Sequence, residues 1–144
     1  MIDTLAPPTS APPRGPRGTA VLLGLTASLT ALLAIAQPVL IGGYLQGSFD
    51  LVTVHGINGS MLMLATFVAA VAALLRWTAG HGSGWPAVAL AALWCAEFVQ
   101  LVAGYTRLLW LHVPLGVAIV GTAAFVAAWA WTPAARRPRR GWWR

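Results

Sequence analysis

Acidic residues are almost missing from this 144-residue chain: Asp3, Asp50 and Glu97 are the only three, and lysine is absent altogether. Charged side chains make up 8% of the total, against about a quarter in a soluble domain. Such a chain cannot clothe a globular surface in solvated charge. Cysteine is nearly absent as well. With Cys95 alone, no internal disulfide can form and no C-x-x-C redox or metal motif exists, so any redox chemistry needs another source.

What fills the space is apolar: 58% of residues are hydrophobic and the mean hydropathy is +0.74. Four apolar segments can be drawn, at about 19–44, 51–75, 86–105 and 108–131. Each reaches the ~20 residues a helix needs to cross ~30 Å of hydrocarbon. A transmembrane β-strand would alternate polar and apolar over about ten residues. These segments are instead continuously apolar and rich in Ala and Leu, and a helix satisfies its backbone polar groups internally. The expectation is an all-α, integral membrane four-helix bundle, up-down-up-down, in contact with the lipid bilayer.

The nine cations are all arginine and give a formal charge of +6. Such a balance can signal nucleic-acid binding, but its placement speaks for membrane topology. Arg14 and Arg17 precede the first segment, Arg76 follows the second, and Arg136, Arg137, Arg139, Arg140 and Arg144 follow the fourth; Arg107 stands alone on the other side. Positive charge stays inside, so both termini are expected in the cytoplasm and the chain in the cell (inner) membrane. Trp77, Trp85, Trp129 and Trp131 fall at the inner boundary, and Tyr44, Tyr105 and Trp110 at the outer one, as interfacial aromatic belts require. The basic tail, 132–144, should attract anionic lipid head groups, with Trp142 and Trp143 as anchors. No nucleic-acid partner is expected.

Residues 1–18 hold half of the ten prolines and little to bury, so they read as a disordered cytoplasmic tail. Ala34-Ile35-Ala36 has the small-x-small form of a signal cleavage site. Apolar character continues past it through Ile41, which favours an uncleaved first helix. His81, in the polar WTAGHGSGW connection, is expected to be solvated.

The two halves repeat weakly. Gly43-Tyr44 matches Gly104-Tyr105, and Phe67-Val68-Ala69-Ala70 matches Phe125-Val126-Ala127-Ala128. More telling is H-x-x-x-G: His55 with Gly59 in the second segment and His112 with Gly116 in the fourth. These segments run the same way, and each histidine lies about 6 Å from its outer end, so two imidazoles are expected at equal depth. A haem iron takes one nitrogen ligand on each face of the porphyrin, and bundle cores build such sites from facing helices. At i+4, Gly59 and Gly116 share the face of their histidines, where a macrocycle would press on the backbone. Gln37, Asn58 and Gln100 are candidates to orient imidazole N–H groups, and Arg107 to pair with haem propionates. The plainer reading is that both histidines hydrogen-bond across helices and both glycines ease packing.

Glu97 is the sole acid within the hydrocarbon, on a helix stripe with Gln100 and Gly104. An ionisable group there is functional by default. It reads as a proton acceptor, as a partner of Gln37, or as a protonated structural residue. Asp50 sits where an acidic helix-start residue is expected.

With His55 and His112 on the second and fourth helices, the chain resembles one half of the haem A synthase family, whose members pair histidines on those helices in each of two four-helix bundles. It is similar, too, to a family of small four-helix bacterial membrane proteins with this layout. The resemblance covers about residues 19–131. It implies ligation of haem b by His55 and His112. The synthase pattern is E-x-x-H-R, whereas Val52 and Leu109 hold the glutamate place here and Gly56 and Val113 the arginine place, so the synthase reaction does not carry over. Expected partners are a redox protein or a larger membrane complex, or a second copy of the chain through its Gly and Ala faces. Two further readings compete: a cofactor-free interaction protein, and a small proton-coupled exporter using Glu97. The latter resembles the small multidrug resistance family, which places its glutamate in the first helix rather than the third.

Overall fold

A computed structural model describes residues 17–139. Four long helices account for most of it: α1 Arg17–Leu45, α2 Leu51–Thr78, α3 Trp85–Tyr105 and α4 Leu109–Ala130, followed by one short turn of helix, α5 Pro133–Arg136. The long helices have 21 to 29 residues, or about 30–45 Å at 1.5 Å per residue. All four are apolar and long enough to span a bilayer. This is a multi-pass membrane protein with an all-α bundle, and no strand occurs among the described residues. The expected proline-rich tail lies outside the described residues apart from Arg17 and Gly18, which already belong to α1.

Connections are short and built from local turns. Gly47 takes φ 100° between α1 and α2, a left-handed conformation that glycine adopts freely. Arg107 takes φ 58° between α3 and α4. Pro86 sits in the first turn of α3, where its missing N–H costs nothing. Pro38 and Pro114 lie inside α1 and α4 and each removes one rung of the hydrogen-bond ladder.

Each helix packs on its two sequence neighbours, and α1 closes the ring against α4. α2 and α4 therefore stand on one diagonal and touch nowhere at backbone level among the described residues. Alanines at three- and four-residue spacing, such as Ala27, Ala31 and Ala34 of α1 and Ala69 and Ala73 of α2, are buried at 0–7% exposure. Small residues let helix backbones approach closely where hydrophobic driving force is lacking. The dense core they form belongs to one end of the bundle, the end that carries Arg76.

At that end the chain folds back on itself. Arg76 is 1% exposed. Its Nε and Nη2 donate to the Ala135 carbonyl at 3.2 and 3.0 Å, Nη2 reaches the Arg137 carbonyl at 3.4 Å, and Nη1 donates to the Gly80 carbonyl. The Arg139 N–H donates to the His81 carbonyl at 2.7 Å. Residues 132–139 are thus tied to the α2–α3 connection. His81 is half-buried in that knot with φ 52°, rather than solvated as its polar surroundings suggest.

Candidate functional site

The opposite end holds a polar layer. His55 stands on the second turn of α2 and His112 on the first turn of α4. Across the bundle diagonal their ring centroids lie 6.2 Å apart, with planes inclined at 63°. Both rings are half-buried although they point into the bundle. Gln37, Gly56, Asn58, Gln100 and Leu115 around them are half-buried too, whereas the alanine core below is closed. The histidine end is the looser half of the bundle.

Each imidazole is tied to the helix that precedes it. His112 Nδ1 lies 3.0 Å from the Gln100 backbone carbonyl on α3, and His55 Nδ1 3.2 Å from the Gln37 carbonyl on α1. A carbonyl only accepts, so at His112 a proton sits on Nδ1, which leaves Nε2 as the ring nitrogen without a backbone partner. His55 has a second neighbour. The Gln37 amide nitrogen is 2.6 Å from Nδ1 when that amide is oriented to satisfy its other contacts. The carbonyl selects Nδ1–H and the amide selects a bare Nδ1, so Gln37 sets the His55 tautomer.

The two glutamine side chains do matching work. Gln100 Nε2 donates to the His112 carbonyl at 2.8 Å. Gln37 donates to the His55 carbonyl at 3.3 Å and accepts the Gly59 N–H at 2.8 Å. A Cβ at Gly116 would lie 2.8 Å from Gln100 Nε2, and one at Gly59 would lie 3.1 Å from the end of the Gln37 amide. At both glycines the space a methyl would take is occupied by a glutamine amide from the preceding helix. The H-x-x-x-G repeat is half of a larger unit in which glutamine, histidine and glycine meet twice.

Of the other residues singled out by sequence, Asn58 does not touch either ring; its Nδ2 donates to the Leu33 carbonyl at 2.8 Å and pins α2 to α1. Arg107 is exposed at the histidine end, in the α3–α4 turn. Glu97 is 2% exposed and accepts a 2.7 Å hydrogen bond from Thr66 of α2, not from Gln37. Two contributors went unassigned in the sequence. A Cβ at Gly104 would come within 2.9 Å of the His112 ring, so that glycine lets the imidazole lie against α3. The Tyr105 hydroxyl would stand 3.8 Å from a Cβ at Gly56, next to His55. The stripe shared by Glu97, Gln100 and Gly104 was the signal for the first; the sequence marked Tyr105 only as an interfacial aromatic and by its repeat match to Tyr44.

Among the described residues no group of three or more His, Cys, Asp or Glu is placed to hold a metal ion. An ion between the histidines would have two protein ligands only. No family model, no curated protein and no solved structure matches the chain.

Proposed function

We propose that the protein holds a b-type haem between His55 and His112, serving electron transfer or forming a haem-bearing accessory subunit in the cell membrane, with both termini cytoplasmic. The observation that carries this reading is the 6.2 Å between ring centroids. Two bonds of about 2 Å from metal to imidazole nitrogen, plus roughly 1.1 Å from each nitrogen to its ring centre, also sum to about 6 Å. His55 and His112 would be the two protein residues that hold the haem, which would supply its remaining nitrogens itself. The half-buried surroundings of both rings leave that end of the bundle accessible.

Bound there, the haem would supply a one-electron carrier. The protein's part is positioning. The Gln100 carbonyl fixes His112 with Nε2 outward, an outer-shell contact of the kind that raises ligand basicity. His55 would present Nε2 when its Nδ1–H turns to the Gln37 carbonyl and the Gln37 amide yields. Arg107, in the turn at this end, is the cation available to propionates.

One observation favours the cofactor-free alternative: both rings already bond to carbonyls and both glycine spaces are filled by amides, which is what interhelical glue looks like. Absorption separates the two. Protein purified after expression with haem available is expected to show a Soret band and sharp reduced α and β bands, lost in His55→Ala and in His112→Ala. A colourless wild type with full helical content refutes haem binding and leaves the interaction protein.

A further inference from the structure

Glu97 lies one turn below Gln100 on α3, about 4.5 Å along the axis, and outside the histidine site. Its Oε1 accepts from Thr66, but its Oε2 is shut off from solvent and has no partner. Gln100 has the same defect. Its Nε2 is used on the His112 carbonyl, while its Oε1 is enclosed and unpartnered. Two acceptor oxygens, both sealed, stand at i and i+3, where side chains are neighbours.

Leaving such groups unpaired is unfavourable, and more so for an ionised carboxylate. No cation offsets it: α2 and α4, the helices packed on α3, bring only His55, His112 and Arg76 as titratable or charged groups, and none bonds to Glu97. Cys95 and Tyr105 on α3 itself are exposed.

We propose that Glu97 is an intramembrane proton-binding site, protonated at neutral pH, whose Oε2–H donates to the Gln100 side-chain oxygen. The protonated acid then completes a chain with every donor pointing the same way. Thr66 donates to Glu97, Glu97 to Gln100, and the Gln100 amide to the carbonyl of His112. The chain links α2, α3 and α4 and ends on the peptide that carries one of the two histidines. Loss of the Glu97 proton breaks its middle link and places a negative charge one turn from that peptide's partner. The assignment holds whether or not a porphyrin occupies the histidine pair.

Infrared difference spectroscopy of the purified, lipid-reconstituted protein without added haem tests it. At neutral pH the wild type is expected to show a protonated-carboxyl C=O band that shifts in D2O and is missing from Glu97→Gln. In Gln100→Met the band should move to higher frequency, because the acid loses its acceptor. Thr66→Val should move it as well, by removing the donor on the carbonyl oxygen. A wild type with no carboxylic acid band, Glu97 being ionised, overturns the proposal. So does a band that folded Gln100→Met leaves in place. Should Gln100→Met fail to fold, Gln100→Leu gives the same reading. Since haem plays no part in the measurement, its failure and that of the haem assignment are separately visible.

Discussion

Replacing Gly116 by alanine tests whether the glutamine clamp is real, because two opposing effects of similar size can be separated with a control. Alanine is the better helix former by about 0.8–1.0 kcal/mol in the interior of a helix. Gly121, on the same helix, is exposed and has nothing within 4 Å of where a Cβ would stand, so Gly121→Ala receives that gain undiminished. At Gly116 the new methyl lands 2.8 Å from Gln100 Nε2, closer than carbon and nitrogen tolerate. The amide is the mobile end of a side chain and swings away, so the clash itself costs little. What is lost is the 2.8 Å bond to the His112 carbonyl, worth about 0.6 kcal/mol on average between membrane helices and up to ~1.7. The amide's displaced N–H adds part of a desolvation penalty of about 1–3 kcal/mol. Gly116→Ala should therefore fall about 1–2 kcal/mol below Gly121→Ala in reversible unfolding, at or below wild type. If both alanines stabilise equally, the Gln100 amide does not occupy the space beside Gly116, and the paired glutamine–glycine unit is wrong.

Arg76→Ala leaves the Ala135 and Gly80 carbonyls without their donor, at a cost of about 2–4 kcal/mol. Tryptic cleavage after Arg136 and Arg139 should then accelerate by at least an order of magnitude; an unchanged rate means the fold-back does not depend on Arg76. Asn58→Leu removes the bond to the Leu33 carbonyl and should cost about 0.5–1.5 kcal/mol in unfolding while leaving any haem spectrum unmoved. A spectral change in that variant would put Asn58 at the histidines after all.

Hydropathy made the bundle legible, since a ~20-residue apolar run in lipid satisfies its backbone as a helix. The fold-back at the arginine end was not legible. Its contacts run from one guanidinium to backbone carbonyls, which every residue carries, so Ala135 and Gly80 leave no mark in the sequence. The site was half legible for the same reason. His55 and His112 announce themselves by spacing, and Gln37 and Gln100 by polarity, yet the atoms that hold the rings are the glutamines' carbonyls. Matching Gly43-Tyr44 to Gly104-Tyr105 also hid their equivalence, because Gln37 stands six residues before its glycine and Gln100 four before its own. Spatial pairing follows the helix face, which that alignment shifts.

The same side chains explain why the two ends of the bundle differ. Alanine at successive turns lets α1 and α2 close together around Thr30, Thr66 and Ala69, each at 0% exposure. In the histidine layer two glutamines and two imidazoles replace methyl groups, and each is held by a hydrogen bond that fixes its distance from the neighbouring helix. The histidine layer thus ties α1 to α2 and α3 to α4 at one end, while Arg76 and residues 132–139 knit the other. Glu97 lies between these regimes, sealed like the core but hydrogen-bonded like the polar layer, through Thr66 of α2.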